Sequence, residues 1–368
     1  MSNSTPLPDR AAALARLAAV DASAYARSRN HLDGAVTGLS PYLAHGVLSV
    51  PECLAALGLP AQHKLTQELG WREYFRHVWD HVGDGILDSL HAGPLPEQAY
   101  SSELPADIRR GATGVPVVDQ AVRTLYSCGT LHNHARMWLA SYVVHGRKVH
   151  WRAGADWLHA HLLDGDLASN HLGWQWVAGT GSHKPYLFDA ANVARFAPRD
   201  WHSAGSAIDL DREAWDLLAR EPRALPAGRG AGVDEPHTLH RPRTGASPLP
   251  LPGADVWLAH PWALGEPPPG ATVVAVVIAE AHAERPWSER RWDWVTARMA
   301  QLSPVLWVGP AAEVTAALAT ASRVRTVANP HVDRWLPAFA QVQPEPRHFP
   351  PVSPLCRSFS RWWSRLHG

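Results

Sequence analysis

The run DGDLASNHLGWQW, Asp164 to Trp176, holds Asp164, Asp166, Asn170, His171, Trp174 and Trp176 within one short stretch. In a plain apolar core each polar group of that set would need a partner. Upstream, LHNHARM (Leu131 to Met137) supplies Asn133 and Arg136 as partners. Carboxylates, a guanidinium and an amide held together can satisfy a ligand edge on which donors and acceptors alternate. The competing reading of any one pair is a helix-bundle salt bridge beside an N-cap aspartate. A second candidate is Thr37-Gly-Leu-Ser-Pro-Tyr42. Ser40 followed by Pro41 predicts an N-cap and first helical position. The free N–H groups and dipole of such a helix suit an anion, pyrophosphate included. A third segment, GWREYFRH (Gly70 to His77), puts Trp71 and Arg72 just beyond Glu68.

The elements that must position these groups follow from pattern. From about Asp9 to Arg199 the chain reads as nearly all helix, opening on an alanine-rich amphipathic segment with Asp9 as N-cap. Helical pattern continues over Glu52–Leu57, Lys64–Val82, Val117–Cys128, His132–Val144 and Gly154–Leu163, broken by Gly93-Pro94 and the Gly111 to Pro116 stretch. Residues 201–253 read as a helical extension and a Pro/Gly-rich linker. Beyond it, Val256-Trp-Leu-Ala, Thr272–Ile278, Pro304–Val308 and Val324–Val327 read as buried strands, with helices at Ser288–Leu302 and Ala311–Ala319. That alternation predicts a small parallel α/β module over 254–340, followed by a basic, tryptophan-bearing tail over 341–368.

Composition bounds the function. The chain has 368 residues, 46% hydrophobic and 18% charged, with a formal net charge of zero. Neutrality excludes a whole-molecule basic footprint, so any nucleic-acid face must be a local arginine patch. Cys53, Cys128 and Cys356 form no CxxC pair and are too few for a four-cysteine cluster, which points to a reducing compartment and no metal. The start MSNSTPLPDR has no apolar h-region, and the longest apolar run, Ala271 to Ala279, is too short for a membrane span. A cytoplasmic protein without membrane contact is expected; the sequence names no protein partner. Tryptophan is over-represented, at 18 against 6 Phe and 7 Tyr. Packing is one use for such rings, stacking and redox another.

TGLSPYLAHG, GWREYFRH, LHNHARM and DGDLASNHLGWQW, in that order, resemble the flavin-binding helical domain of the cryptochrome/DNA photolyase family. The fold this implies is a mainly α, FAD-binding domain of photolyase type followed by a small Rossmann-like α/β module. VWLAHPWALG, the VVAVVIAEAH strand and VGPAAEVTAALA are faintly similar to the family's antenna domain, which in the family comes first; a permuted module and a convergent one are both open. The cofactor implied is FAD, with any second antenna chromophore left unknown. On matching positions, Thr37 and Ser40 hold the diphosphate, with Tyr25 and Arg29 nearby at a spacing shifted by one residue. Asp166 accepts from the flavin imide, Asp164 pairs with Arg136, Asn133 lies alongside, and Asn170 faces the flavin N5. Trp174 and Trp151 resemble members of the electron-hopping chain; its outermost member has no clear match, Tyr100 being nearest and Trp138 or Trp157 being other routes.

The same resemblance implies UV-damaged DNA as partner and a flipped pyrimidine dimer as substrate. Glu68, Trp71, Asn133, Met137 and Trp176 fall on the lesion-pocket positions, and Arg72 is read as a phosphate clamp. Two departures stand out. His134 replaces the arginine that follows the asparagine, adding a group whose charge would change near neutral pH. HKPYLFDAANVARF, His183 to Phe196, replaces the family's arginine-bearing loop. The implied activity is light-driven splitting of cyclobutane dimers by electron transfer from reduced flavin. The alternatives are a cryptochrome-like photoreceptor and a flavin binder with neither role. The tail's Arg357, Arg361, Arg365 and Trp362-Trp363 are open to two readings: a nucleic-acid surface, or a helix packed back on the body.

Overall fold

Asp9 opens the helical region as a working N-cap, its side chain accepting the Ala12 N–H at 2.6 Å. The structure, a computed structural model, describes residues 5–182, 184–242 and 251–367. The helices relevant to the site are α1 (Arg10–Ala18), α2 (Ala22–Ser28), α3 (Ser40–Ala44), α4 (Val50–Leu57), α5 (Lys64–Val82), α6 (Ala106–Arg109), α7 (Pro116–Cys128), α8 (Asn133–Ser141), α9 (Trp151–His161) and α10 (Leu167–Ala178). After them come α11 (Ala190–Phe196) and α12 (Arg212–Arg220). The apolar faces of α7 to α10 close one core around Val122, Leu125, Trp138 and Leu158.

Three boundaries differ from the sequence expectation for local reasons. The helix expected over 132–144 begins at Asn133, because His132 caps it through a ring nitrogen accepting the His134 N–H. It gives way after Ser141 to a π turn, Tyr142–Gly146. The helix expected from Gly154 starts at Trp151, capped in the same way by His150. Ser40 is not the N-cap of α3. Leu39 holds that position without a side-chain bond, and the helix lasts five residues.

The α/β module is built from β2 (Asp255–Ala259), β3 (Thr272–Ile278), β5 (Leu306–Gly309), β6 (Arg323–Val327) and β7 (Gln341–Gln343); a separate antiparallel pair joins β1 (Thr238–Leu239) to β4 (Trp287–Ser288). The five-stranded sheet is parallel throughout, in the order β5-β3-β2-β6-β7. Helix α13 (Glu289–Leu302) links β3 to β5, and α14 (Ala311–Leu318) links β5 to β6. Val324–Val327 is therefore not the last strand. Gln341–Gln343 adds an edge too short and polar to stand out in sequence. Strand order reverses between β2 and β6, the position at which open α/β sheets form a crevice at the strands' carboxyl ends.

Module and helices share one core. Leu39, Tyr42 and Val47 from the helical side pack in the same cluster as Trp287, Trp294 and Val295. The tail forms α15 (Phe359–His367), which packs back on α5: Trp362 is buried and Trp363 lies over Gly70, while Arg357, Arg361 and Arg365 are exposed.

Candidate functional site

Asp164 and Asp166 lie on the turn between α9 and α10, both buried. Arg136 of α8 places Nη2 2.9 and 2.8 Å from the two oxygens of Asp164. Its Nε–H donates to the Leu131 carbonyl at 2.8 Å, which fixes the guanidinium across the start of its own helix. Ser40 hydrogen-bonds Asp164, so the α3 segment touches this centre through its side chain. Asp166 has a second duty: Oδ1 caps α10 by accepting the Ser169 N–H (2.9 Å), and Oδ2 faces Arg76 Nη2 at 3.3 Å and Arg72 Nη2 at 3.7 Å. Burial raises both carboxyl pKa values. Arg136 and Ser40 at Asp164, and Arg76 and Arg72 at Asp166, outweigh it and hold both groups below the usual carboxylate range.

Asn170 projects from the next turn of α10. Its Nδ2 donates to the Ala155 carbonyl at 2.8 Å, which anchors the amide to α9 and leaves its oxygen as an acceptor. Arg76 Nη1 and Ser169 Oγ are buried with no protein partner. Buried polar atoms rarely stay unpaired. Arg76 is also held by Glu345, with Nη2 3.3 Å from Oε1; Asp164, Asp166, Arg136 and Asn170 carry donors and acceptors of the kinds a polar heteroaromatic edge pairs with. Arg76 was missed in the sequence, although it stands one helical turn beyond Arg72 and on the same face of α5.

The remaining expected residues fall into smaller groups. Thr37 Oγ1 accepts the Leu39 N–H at 3.3 Å. Tyr25 packs beside Leu65 and Leu69, its phenol pKa raised by burial and by Glu68. Glu68 Oε1 lies 3.3 Å from Arg29 Nη2 and 3.2 Å from Lys64 Nζ, so both ion pairs use one oxygen. Asn133 is exposed and its Nδ2 sits 3.8 Å from Met137 Sδ. Trp176 is 38% exposed and leans on Tyr186, with ring centroids 5.8 Å apart.

Three readings of this group change. Arg72, read as a phosphate clamp, turns inward: its Nη2 donates to the Leu43 carbonyl (3.2 Å) and faces Asp166. Trp71, read as a lesion wall, has one ring face stacked on Phe359 of α15 at 4.3 Å and 10°. His134 is no neutral-pH switch. Burial pushes its pKa down, Nδ1 lies 2.8 Å from the Asn30 carbonyl, and the ring stacks on Trp138 at 4.5 Å. Of the replaced loop, His183 lies outside the described residues, and the rest leads into α11.

Trp174 and Trp151 are both buried. Trp174 presses on Gly154, where a Cβ would lie 2.3 Å from the indole; only glycine lets α9 and α10 approach so closely. Trp151 Nε1–H donates to Ser89 Oγ at 3.0 Å. The other proposed routes stay inside: Trp138 is fully buried with its N–H on Asn192, and Trp157 donates to the Tyr126 hydroxyl.

The module contributes groups that no local pattern announced. Arg291 is fully buried; its Nη1 donates to the His159 carbonyl (2.6 Å), its Nη2 to the Gly165 carbonyl, and its guanidinium lies 3.7 Å over Trp287. Burial lowers its pKa to about 9 against the pull of Asp164 and Asp166, which leaves it charged at neutral pH. A Cβ at Gly165 would meet Arg291 Nη1 at 2.4 Å, so glycine between the two aspartates is what admits the arginine. His331 Nε2 accepts the Leu167 N–H at 3.3 Å, and its ring stacks on Trp262 at 4.4 Å and 10°. His282 also stacks on Trp262, at 5.2 Å and 5°. These rings follow the carboxyl ends of β2, β3 and β6, so the chain's own side chains fill the crevice at the sheet's switch point.

Sequence comparison bears on this helical centre. Residues 65–206 match the family described as the FAD binding domain of DNA photolyase. Three of the four motifs that carry the resemblance fall inside that matched stretch. The chain is 37% identical to a deoxyribodipyrimidine photo-lyase of Vibrio cholerae over 163 residues, 41% of this chain and 34% of that protein. It is 35% identical to one of Salmonella typhimurium over 245 residues, 62% and 51% of the two chains. It is also 33% identical to a cryptochrome DASH of Idiomarina loihiensis over 174 residues, 44% and 38% of the two. The chain spans about a third to a half of these relatives' lengths. A solved cryptochrome of Synechocystis aligns at 27% identity and a TM-score of 0.47, covering 51% of this chain and 43% of that one. Among the described residues no helix is long and apolar enough to cross a membrane, and no cluster of His, Cys, Asp or Glu could hold a metal.

Proposed function

We propose that this chain holds FAD at the Asp164–Asp166 centre and uses it as a light-driven photolyase on cyclobutane pyrimidine dimers in DNA. The observation that carries the reading is the pair of buried aspartates with their partners, Arg136 on Asp164 and Arg76 on Asp166, beside buried Asn170, with Arg76 Nη1 and Ser169 Oγ left unpaired. Bound FAD would supply the photochemical electron, as a cofactor supplies chemistry a side chain cannot. The chain's residues would do the rest. Asp164 and Arg136, locked to each other, would offer one acceptor and one donor to the ring edge. Asn170, its amide nitrogen tied to Ala155, would accept from a ring N–H without adding a buried charge. Glu68 would use Oε2 toward the base edge while Arg29 and Lys64 hold Oε1. Trp176 and the free face of Trp71 would provide flat apolar walls, with Met137 filling between them. Trp174 and Trp151 would pass electrons inward.

A second reading, a cryptochrome-like photoreceptor, is favoured by one observation. Phe359 stacked on Trp71 ties the C-terminal helix directly to the pocket wall. The deciding experiment is blue-light treatment of an oligonucleotide carrying one thymine cyclobutane dimer, with protein loaded with FAD and reduced beforehand. Loss of the dimer only in the light is expected. No repair by protein that visibly holds reduced FAD would overturn the photolyase reading in favour of the photoreceptor.

A further inference from the structure

His171 has no task in the flavin reading, yet it is fully buried on α10 beside Asn170 and both its ring nitrogens are engaged. Nε2 lies 2.8 Å from Asp156 Oδ1, across the contact between α9 and α10. Asp156 is itself held: Oδ2 accepts from Arg152 Nε at 2.8 Å, and Arg152 Nη1 donates to the Leu87 carbonyl. Nδ1 of His171 lies 3.3 Å from Asn170 Nδ2 and 3.1 Å from the Leu167 carbonyl one turn back. Burial raises the Asp156 pKa, but His171 and Arg152 outweigh it and keep the carboxylate ionised. Burial lowers the His171 pKa against the pull of Asp156, and Arg152 and Arg285 add to the lowering, so the ring is neutral at neutral pH. His159, the titratable ring 6.0 Å away, is likewise kept neutral by burial. A carboxylate only accepts, so the one proton of His171 sits on Nε2 and Nδ1 is a lone pair. Of the two groups beside that lone pair, only the Asn170 amide can donate to it. The other amide hydrogen goes to the Ala155 carbonyl, so the Asn170 oxygen is the atom left for a ligand.

We propose that the Asp156–His171 pair is a positioning device for the candidate cofactor site: it locks the Asn170 amide with its oxygen as the acceptor toward a flavin ring N–H, and so favours reduced over oxidised cofactor. The inference rests on the flavin reading above. The central-ring nitrogen N5 of oxidised flavin is a bare acceptor, whereas in the reduced form it carries a hydrogen. An amide oxygen pairs with the second and repels the first; an amide nitrogen does the reverse. A free amide can turn over and serve either form. Here turning over would set its oxygen against the Ala155 carbonyl oxygen and the His171 lone pair, two acceptors with nothing to donate. Pinning α10 to α9 needs only the Nε2–H bond to Asp156, so that role leaves the Nδ1 contact with Asn170 unexplained. Asp156 is 46% exposed, and the device can therefore be disturbed from its outer end without opening the core.

The test is the reduction midpoint of FAD bound to the full-length chain in the dark, titrated with dithionite against a reference dye. Dithionite supplies both electrons and solvent the N5 proton, so the variants change only which side of the equilibrium is favoured. His171→Leu should shift the midpoint negative by about tenfold in the reduced-to-oxidised ratio, or about 30 mV for two electrons. Asp156→Asn, which lets the ring proton sit on either nitrogen, should shift it the same way by about threefold. Asn170→Leu removes the oxygen itself and should shift it at least as far as His171→Leu. In the Asn170→Leu background neither His171→Leu nor Asp156→Asn should add anything, because the pair acts through the amide. A merely structural disturbance would add in both backgrounds, and that result would overturn the proposal. If His171→Leu fails to hold FAD, Asp156→Asn carries the same comparison alone and with Asn170→Leu. A midpoint unmoved by Asn170→Leu would contradict the flavin reading on which the inference rests. A midpoint moved by Asn170→Leu but not by His171→Leu or Asp156→Asn would overturn the role of the pair and leave that reading standing.

Discussion

Two tryptophan clusters flank the Asp164–Asp166 turn, and they differ in what stands at their far ends. On the helical side, Trp174 and Trp151 lead toward a cavity with Tyr100 and His150 in its wall. On the module side, Trp262, Trp287 and Trp292 touch one another at centroid distances of 5.4 and 4.5 Å. That second group is in close ring contact, yet it is buried throughout and Arg291 lies over Trp287. A fixed positive charge on an indole face favours the neutral ring over its radical cation. His282, enclosed by Trp262, Trp287 and Trp292, has both ring nitrogens unpaired and is kept neutral by burial. Close aromatic contact is therefore no sign of an electron route by itself; the charge beside the rings and an exit to solvent separate a relay from an adhesive. The module cluster is adhesive, joining two segments that are distant in sequence.

The sharpest way to break that contrast is to remove the charge that defines the second cluster. Arg291→Met leaves the His159 and Gly165 carbonyls without their donor in a dry interface. A loss of about 3 kcal/mol in urea unfolding is expected, consistent with removing one buried charged partner; an unchanged midpoint would contradict the role given to this arginine. Gly165→Ala tests the same contact from the other side. The added methyl meets Arg291 Nη1 at 2.4 Å and the His159 carbonyl at 2.7 Å. Overpacking should cost about 1–3 kcal/mol, and a stability equal to wild type would show that the turn yields freely. Trp287→Phe should cost about 1 kcal/mol and leave photoreduction intact. A fall in photoreduction to match Trp151→Phe would erase the distinction between the clusters.

A pH titration sharpens the contrast at the turn the clusters share. Asp164 and Asp166 have pKa values below those of the unfolded chain, owing to Arg136 and to Arg76 with Arg72 acting against burial. A depressed carboxyl pKa contributes stability above the unfolded value of about 4 and loses it as pH falls toward the folded one. Acid should thus loosen the protein from about pH 4 downward. Asp166→Asn keeps a capping side chain but removes the charge, and should flatten that acid limb. An unaltered limb would place the acid sensitivity elsewhere.

Much of the helical site was legible because it is local. The Asp164 to Trp176 run carries its own N-cap, and α5 runs over Lys64–Val82 as its spacing implies. Arg136 reaches Asp164 across neighbouring helices whose order was readable from the motifs. What escaped depends on tertiary contact. Arg291, His331 and Trp262 arrive from a module far along the chain, and nothing in their local sequence marks them as neighbours of Asp166. Phe359 on Trp71 escaped for the same reason, since the tail could not be placed until its tryptophans found α5. Ser40 misled because a Ser-Pro pair reads as cap and first turn; here the serine side chain bonds Asp164 instead. Arg72 misled because a surface-facing arginine and one turned onto a buried carboxylate have the same local sequence.

The measurement that tests the central claim most directly is a titration of the full chain with FAD, followed by flavin absorbance and fluorescence, alongside Arg136→Met and Asn170→Leu. The account predicts saturation at one FAD per chain, with affinity falling about tenfold or more in Arg136→Met, or about 1.4 kcal/mol. Asn170→Leu should bind FAD but shift the spectrum of its reduced form. Absence of FAD binding, or affinity untouched by Arg136→Met, would mean that the Asp164–Asp166 centre is not where a flavin is held.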